Sequence, residues 1–164
     1  DDLAADMQEM VEATLAAAGY AHYETSAFAQ DGQRCRHNLN YWRFGDYLGI
    51  GAGAHSKITN HLGVHRESRP RGPKDYLADP ATRTWRPVAP TDLPGEFMMN
   101  ALRLVDGFDP ALFEERTRLP LDTVEPALAQ AEADGLLVRT GDRIAPSPLG
   151  QRFLNRLISR FLSS

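Results

Sequence analysis

The chain has 164 residues, 42% of them hydrophobic, and a net charge of −4, an ordinary composition for one globular domain or two small ones. No apolar run approaches the roughly 20 residues that span a bilayer; the start, DDLAADMQEM, does not begin with Met, has no basic region or apolar stretch, and reads as a piece of a longer protein without a signal peptide. The single cysteine, Cys35, excludes an internal disulfide and any Cys-rich zinc or iron–sulfur site built by this chain alone, and it favours a reducing cytoplasm.

Taken in chain order, residues 3–18 repeat apolar groups at Leu3, Met7, Met10, Val11 and Leu15, which predicts a helix, and Gly19 suits its left-handed stop. HYETSAFA (22–29) alternates and predicts a strand. After a loop, YLGIGAGAH (47–55) is too rich in glycine for a helix. It predicts a buried strand with a ligand or another backbone close against it. Helix, strand, loop and strand make the end of an α/β unit. Two strands alone are not a stable sheet, so the rest of that sheet is expected in a preceding N-terminal part.

Residues 60–91, rich in Pro, Arg and Gly, read as an exposed excursion and linker with a short helix near 74–79. Helices are then predicted over 96–108, over 109–118 behind Asp109 and Pro110, and over 121–135 with Gly135 as its stop. A hairpin about Gly141-Asp142 follows in 136–147. A closing helix is capped by Ser147, with Leu149, Phe153, Leu154, Leu157, Ile158, Phe161 and Leu162 along one stripe. This is a winged-helix outline. Its third helix carries Asp122, Glu125, Glu132 and Asp134 and no Lys or Arg, so binding to nucleic acid, which draws on phosphate neutralisation, is not expected.

Charge is segregated along the chain. Residues 1–29 hold six acids and no Lys or Arg; residues 30–90 hold ten basic against five acidic residues and four of the five histidines; residues 91–164 hold eight basic and eleven acidic. An anionic partner is therefore expected on the middle third. Within it, CRHNLNYW (35–42) gathers unusual chemistry. His37 offers an imidazole able to ligate a metal or a haem iron. Asn38 and Asn40 can position it, Tyr41 and Trp42 give flat area for a planar ligand, and Arg34, Arg36 and Arg43 can pair with carboxylates. A tetrapyrrole with propionate arms fits all of this; a nucleobase or phosphate fits part. Against a site stands the commoner use of such residues, aromatic packing beside a strand and a hydrogen-bonded histidine.

CRHNLNYWRFGDYLGIGAGAHSK, with YETSAFAQDG upstream and PGEFMMNALRL downstream, resembles the C-terminal part of the oxygen-independent coproporphyrinogen III oxidase-like radical-SAM family. His37, Asn38, Tyr41 and Trp42 match the His-Asn-x-x-Tyr-Trp signature of its haem-chaperone branch. The resemblance implies an α+β fold. Residues 1–59 would be the last helix and strands of a radical-SAM partial TIM barrel, 60–91 a linker, and 92–164 a helical, winged-helix-like C-terminal domain. It further implies haem contact by His37, as iron ligand, with Asn38, Tyr41, Trp42, Arg36 and Arg43 around it. Gly49, Ile50, Gly51 and Ala52 would flank S-adenosylmethionine, Ile50 against the adenine.

The family's [4Fe–4S] cluster requires a CxxxCxxC motif, which one cysteine cannot supply, so no radical chemistry is expected of this chain alone. The leading expectation is haem binding and delivery to a client protein in the cytoplasm, with any membrane contact peripheral and through clients. The alternatives are oxidative decarboxylation of coproporphyrinogen III by the full-length parent and, weaker, a winged-helix nucleic-acid binder. Exposed strand edges would also allow a homodimer.

Overall fold

The structure is a computed structural model that describes residues 2–162; Asp1 and residues 163–164 lie outside it. The first helix, α1 (Asp2–Ala17), ends at Gly19, whose φ of 81° is left-handed. Its apolar stripe is not buried: Leu3, Met7, Met10 and Val11 all face outward. The strand expected at 22–29 is instead a hairpin, β1 (Ala21–Glu24) and β2 (Ala27–Ala29), folded at Thr25 and Ser26. Eight alternating residues suit one strand and a tight hairpin equally well. The choice is made by tertiary pairing, for Thr25 N donates to Arg103 O and Val105 N to Tyr23 O.

Residues 35–43, read as loop, form helix α2 (Arg36–Trp42). It stops where Phe44 turns left-handed at φ 54°. The predicted buried strand at 47–55 is absent: only Tyr47 bridges to Lys57, Gly51 and Gly53 turn at positive φ, and Leu48 and Ile50 are 75% and 89% exposed. The strand begins where that run ends. β3 (His55–Asn60), β4 (Gly63–Ser68) and β5 (Thr84–Pro87) form an antiparallel sheet in that order, and α3 (Pro73–Ala78) crosses between the last two. The segment read as linker thus carries two of the sheet's three strands and a short helix. Its prolines and glycines sit at the connections or the ends of elements, and the strands between them are fixed by pairing with their neighbours.

The second half follows the expected order of elements, but the helix expected over 96–108 stops at Ala101, because 102–108 turn to bring Leu104 against Glu24 and Phe108 against Ile144 in backbone bridges. α4 (Leu93–Ala101), α5 (Pro110–Thr117), a 3₁₀ turn at Leu121–Thr123 and α6 (Glu125–Ala133) lead into the hairpin β6 (Leu137–Thr140) and β7 (Arg143–Pro146). Asp109 caps α5 by accepting from Ala111 N, and Ser147 caps the next helix by accepting from Gly150 N. The closing helix is broken into α7 (Pro148–Arg152) and α8 (Leu154–Ser159). Gly150 seats α7 on the Leu136 backbone, where any side chain would overlap its carbonyl. α8 turns to bury Leu157 and Ile158, which leaves Leu149, Phe153 and Leu162 of the predicted stripe exposed.

One core serves both halves. Phe97, Met98, Phe108, Phe113, Leu128, Ile144 and Leu157 fill it, and Phe44 and Val64 enter from the first half. Phe97, fully buried, meets Phe44, Phe108 and Phe113 edge to face at centroid distances of 5.8, 5.1 and 5.2 Å. The residue that ends α2 is thereby locked to the helical half.

Candidate functional site

α2 explains the spacing of the motif. His37 and Tyr41, and Asn38 and Trp42, are each four residues apart, so each pair shares a helix face. The His37 ring stands edge-on to Tyr41 at 5.0 Å, and Tyr41 stacks on Tyr47 at 4.2 Å with 27° between the planes. His37 is exposed, and among the described residues its ring nitrogens make no hydrogen bond. Asn38 does not hold it; Asn38 Nδ2 donates to the Tyr23 hydroxyl at 3.4 Å. Trp42 lies beneath the Arg103 guanidinium at 5.0 Å, and its indole Nε1 is buried without a partner among the described residues. Arg36 and Arg43 are exposed at the two ends of the helix, neither in an ion pair among the described residues. Arg34 is drawn away to Asp106 at 2.5 Å.

The turn after α2 is held by a group that sequence reasoning missed. Lys57 is 1% exposed, and its ammonium donates to Phe44 O (2.9 Å), Asp46 Oδ1 (2.8 Å) and Thr59 Oγ1 (3.4 Å). Asp46 Oδ2 accepts from Thr59 N at 2.7 Å, and Asp46 Oδ1 from the Thr59 hydroxyl at 2.8 Å. Burial pushes the Asp46 carboxyl up, but Lys57 and Thr59 outweigh it and hold the group below its ordinary value; for Lys57, burial prevails over Asp46 and lowers the ammonium. The available signal was a lone lysine inside the β-branched run HSKITN.

From this anchor the chain carries Tyr47 under Tyr41. The Tyr47 hydroxyl accepts from Arg66 Nη1 at 3.0 Å, and Arg66 donates to Glu96 Oε2 at 2.6 and 3.1 Å. Burial raises the Tyr47 phenol, against the nearby Arg66 charge. A continuous path therefore runs from His37 through Tyr41, Tyr47 and Arg66 to Glu96 of α4.

The glycine run has its own explanation. A side chain at Gly49 would overlap the His55 carbonyl, so of the two reasons expected for its small residues, another backbone is the one found there. Gly49 N donates to Ser56 Oγ at 3.0 Å. Ile50 and Ala52 point to solvent on a turn rather than along a strand.

Comparison with known proteins fits this arrangement. Residues 88–153 match the HemN C-terminal domain family. The chain is 42% identical to the protein named haem chaperone HemW of Escherichia coli, over 99% of this chain and 43% of that protein. It is 34% identical to the Mycobacterium tuberculosis protein of the same name, over 99% of this chain and 40% of that one. A bovine radical S-adenosyl methionine domain-containing protein 1 is 46% identical over 70 residues, 42% of this chain and 16% of its own length. Among solved structures, the radical-SAM enzyme coproporphyrinogen III oxidase from Escherichia coli superposes with a TM-score of 0.65 at 17% identity, over 96% of this chain and 40% of that one, a likeness of fold. The chain spans about two-fifths of the length of the curated relatives it matches.

Proposed function

We propose, from the similarity of its whole length to proteins named haem chaperone and the HemN C-terminal domain within it, that the chain is a member of the HemN-like radical-SAM family and the haem-holding part of a cytoplasmic haem chaperone that passes haem to client proteins. One observation carries the reading: an exposed imidazole without a hydrogen-bond partner among the described residues, at the head of the Tyr41–Tyr47 aromatic stack. His37 ligates the iron through that free nitrogen. Tyr41 packs against the macrocycle, Asn38 and Trp42 fix the helix face that presents it, and Arg36 and Arg43 stand exposed for propionates. No helix is long and apolar enough to cross a membrane among the described residues.

The residues present do not fit an iron–sulfur cluster. There is one cysteine, exposed Cys35, and no group of three or more His, Cys, Asp or Glu side chains converges among the described residues. S-adenosylmethionine fits better. Ile50 would offer it an exposed apolar side chain and Gly49, Gly51 and Ala52 a backbone edge; bound there it would be the source of a radical, which this chain, with no set of cluster cysteines, cannot start.

Nucleic acid is a poor partner for the C-terminal domain. α6 spends Glu125 and Glu132 on Arg139 of the hairpin, at 2.6 and 3.2 Å, and Asp134 pairs with Arg160. Those pairings consume the Arg139 and Arg160 charges that could otherwise neutralise phosphates.

Haemin titration of the wild type is expected to give a saturable Soret shift near one equivalent, and His37→Ala is expected to lose it. Indistinguishable spectra would remove His37 as ligand. The same comparison separates carriage from decarboxylation, since an iron-free porphyrinogen has no need of an axial histidine.

A further inference from the structure

Beside the Tyr47 end of the aromatic stack lies a cleft of about 480 Å³ on the β3–β4–β5 sheet, lined by Tyr47, His55, Arg66, Ser68, Thr84 and Arg86. Its floor is set by strand register. Lys57 pairs with Arg66, and Arg66 with Arg86. Residues directly opposite in an antiparallel sheet share a face, so three cations stand in one row across three strands. Like charges so placed destabilise a sheet unless something offsets them. Two are offset internally: Lys57 by Asp46 at 2.8 Å and Arg66 by Glu96 at 2.6 Å. Arg86, on the edge strand, has no acidic partner among the described residues.

The next row on that face, His55, Ser68 and Thr84, adds an imidazole and two hydroxyls, groups that can donate to oxyanions. The only acid on the cleft wall, Glu67, is buried and taken by Arg69 at 3.2 Å and Arg83 at 3.5 Å. An uncompensated guanidinium with donors beside it is a seat for a carboxylate.

We propose that this cleft binds the propionate carboxylates of a tetrapyrrole, with Arg86 as the principal cation and His55, Ser68 and Thr84 as supporting donors. The assignment of tetrapyrrole as the occupant rests on the haem reading above. The macrocycle then lies along the Tyr41–Tyr47 stack while its acidic edge reaches the sheet. Arg36 and Arg43, on the far helix, are left for the opposite edge or for a client.

The test uses metal-free coproporphyrin III and its tetramethyl ester, titrated by fluorescence into wild type and Arg86→Gln in matched dilute detergent. The acid should bind wild type, and Arg86→Gln should weaken it about tenfold, as loss of one charge-assisted hydrogen bond implies. The ester should bind weakly and equally to both, which also shows the variant intact. Equal affinity of the two proteins for the acid, or failure of the wild type to prefer acid over ester, overturns the proposal. Because no iron is present, the result is independent of axial ligation. If His37→Ala leaves the haem spectrum unchanged while Arg86→Gln weakens the acid, the ligand reading fails and the carboxylate cleft stands; the converse result removes the cleft alone.

Discussion

Phe97→Ala is expected to cost about 4 kcal/mol of stability, the range for removing a buried phenylalanine ring. Phe97 is wholly buried and touches three other phenylalanines, each from a different part of the chain: Phe44 from the end of the motif helix, Phe108 from the link after α4, and Phe113 from α5. Collapse cannot easily fill the void, because the surrounding rings are tied to separate elements. Against a typical domain stability of roughly 5–15 kcal/mol this is a large fraction. Urea unfolding should show a lowered midpoint. A loss below about 1.5 kcal/mol would mean that the two halves are not joined through this ring. Haem affinity should fall with stability, since Phe44 is where α2 is anchored.

The second large effect is expected at the turn that positions Tyr47. Asp46→Ala leaves the Lys57 ammonium buried with only the Phe44 carbonyl and the Thr59 hydroxyl. The ammonium is buried but the Asp46 side chain is 40% exposed, so stranding the ammonium costs about 2 kcal/mol, below the range for a wholly buried ion pair. Combining it with Lys57→Met should restore most of the loss, because an apolar side chain of similar length has no charge to solvate. If the double variant were as unstable as the single one, the damage would lie in the Asp46–Thr59 hydrogen bonds instead. The pair also makes an acid-side prediction. The folded-state pKa of Asp46 lies below its ordinary 3.8, so its contribution is complete above that value and is lost as pH falls through the folded pKa. A stability profile of Asp46→Asn should lack that component between pH 4 and the acid limit, which paired chemical denaturation series would measure.

Residue pattern alone was sufficient for the order of elements in the helical half, though not for the early end of α4 or the break between α7 and α8. Asp109-Pro110, Ser147-Pro148, Gly135 and Gly141-Asp142 are local devices whose meaning does not depend on what lies across the core, and each ends up at the boundary it marks. The motif was legible as chemistry and not as structure. His37, Asn38, Tyr41 and Trp42 stood out by residue type, yet their spacing of four was read within a loop, when it is the period of the helix that carries them.

What the sequence by itself determined is the family signature, the basic middle third, the single thiol and the capped helices of residues 92–162. What only the tertiary structure decided is pairing. Alternation in 22–29 cannot say whether eight residues make one strand or a hairpin; backbone bonds to 103–105 say so. The apolar glycine run looked buried, but Gly49 answers to the His55 backbone, and Ile50 remains in solvent. The row Lys57, Arg66 and Arg86 spans 29 positions of chain and exists only through register. Long-range register is set by which faces must be buried together, and that is a property of the assembled sheet rather than of any window of sequence.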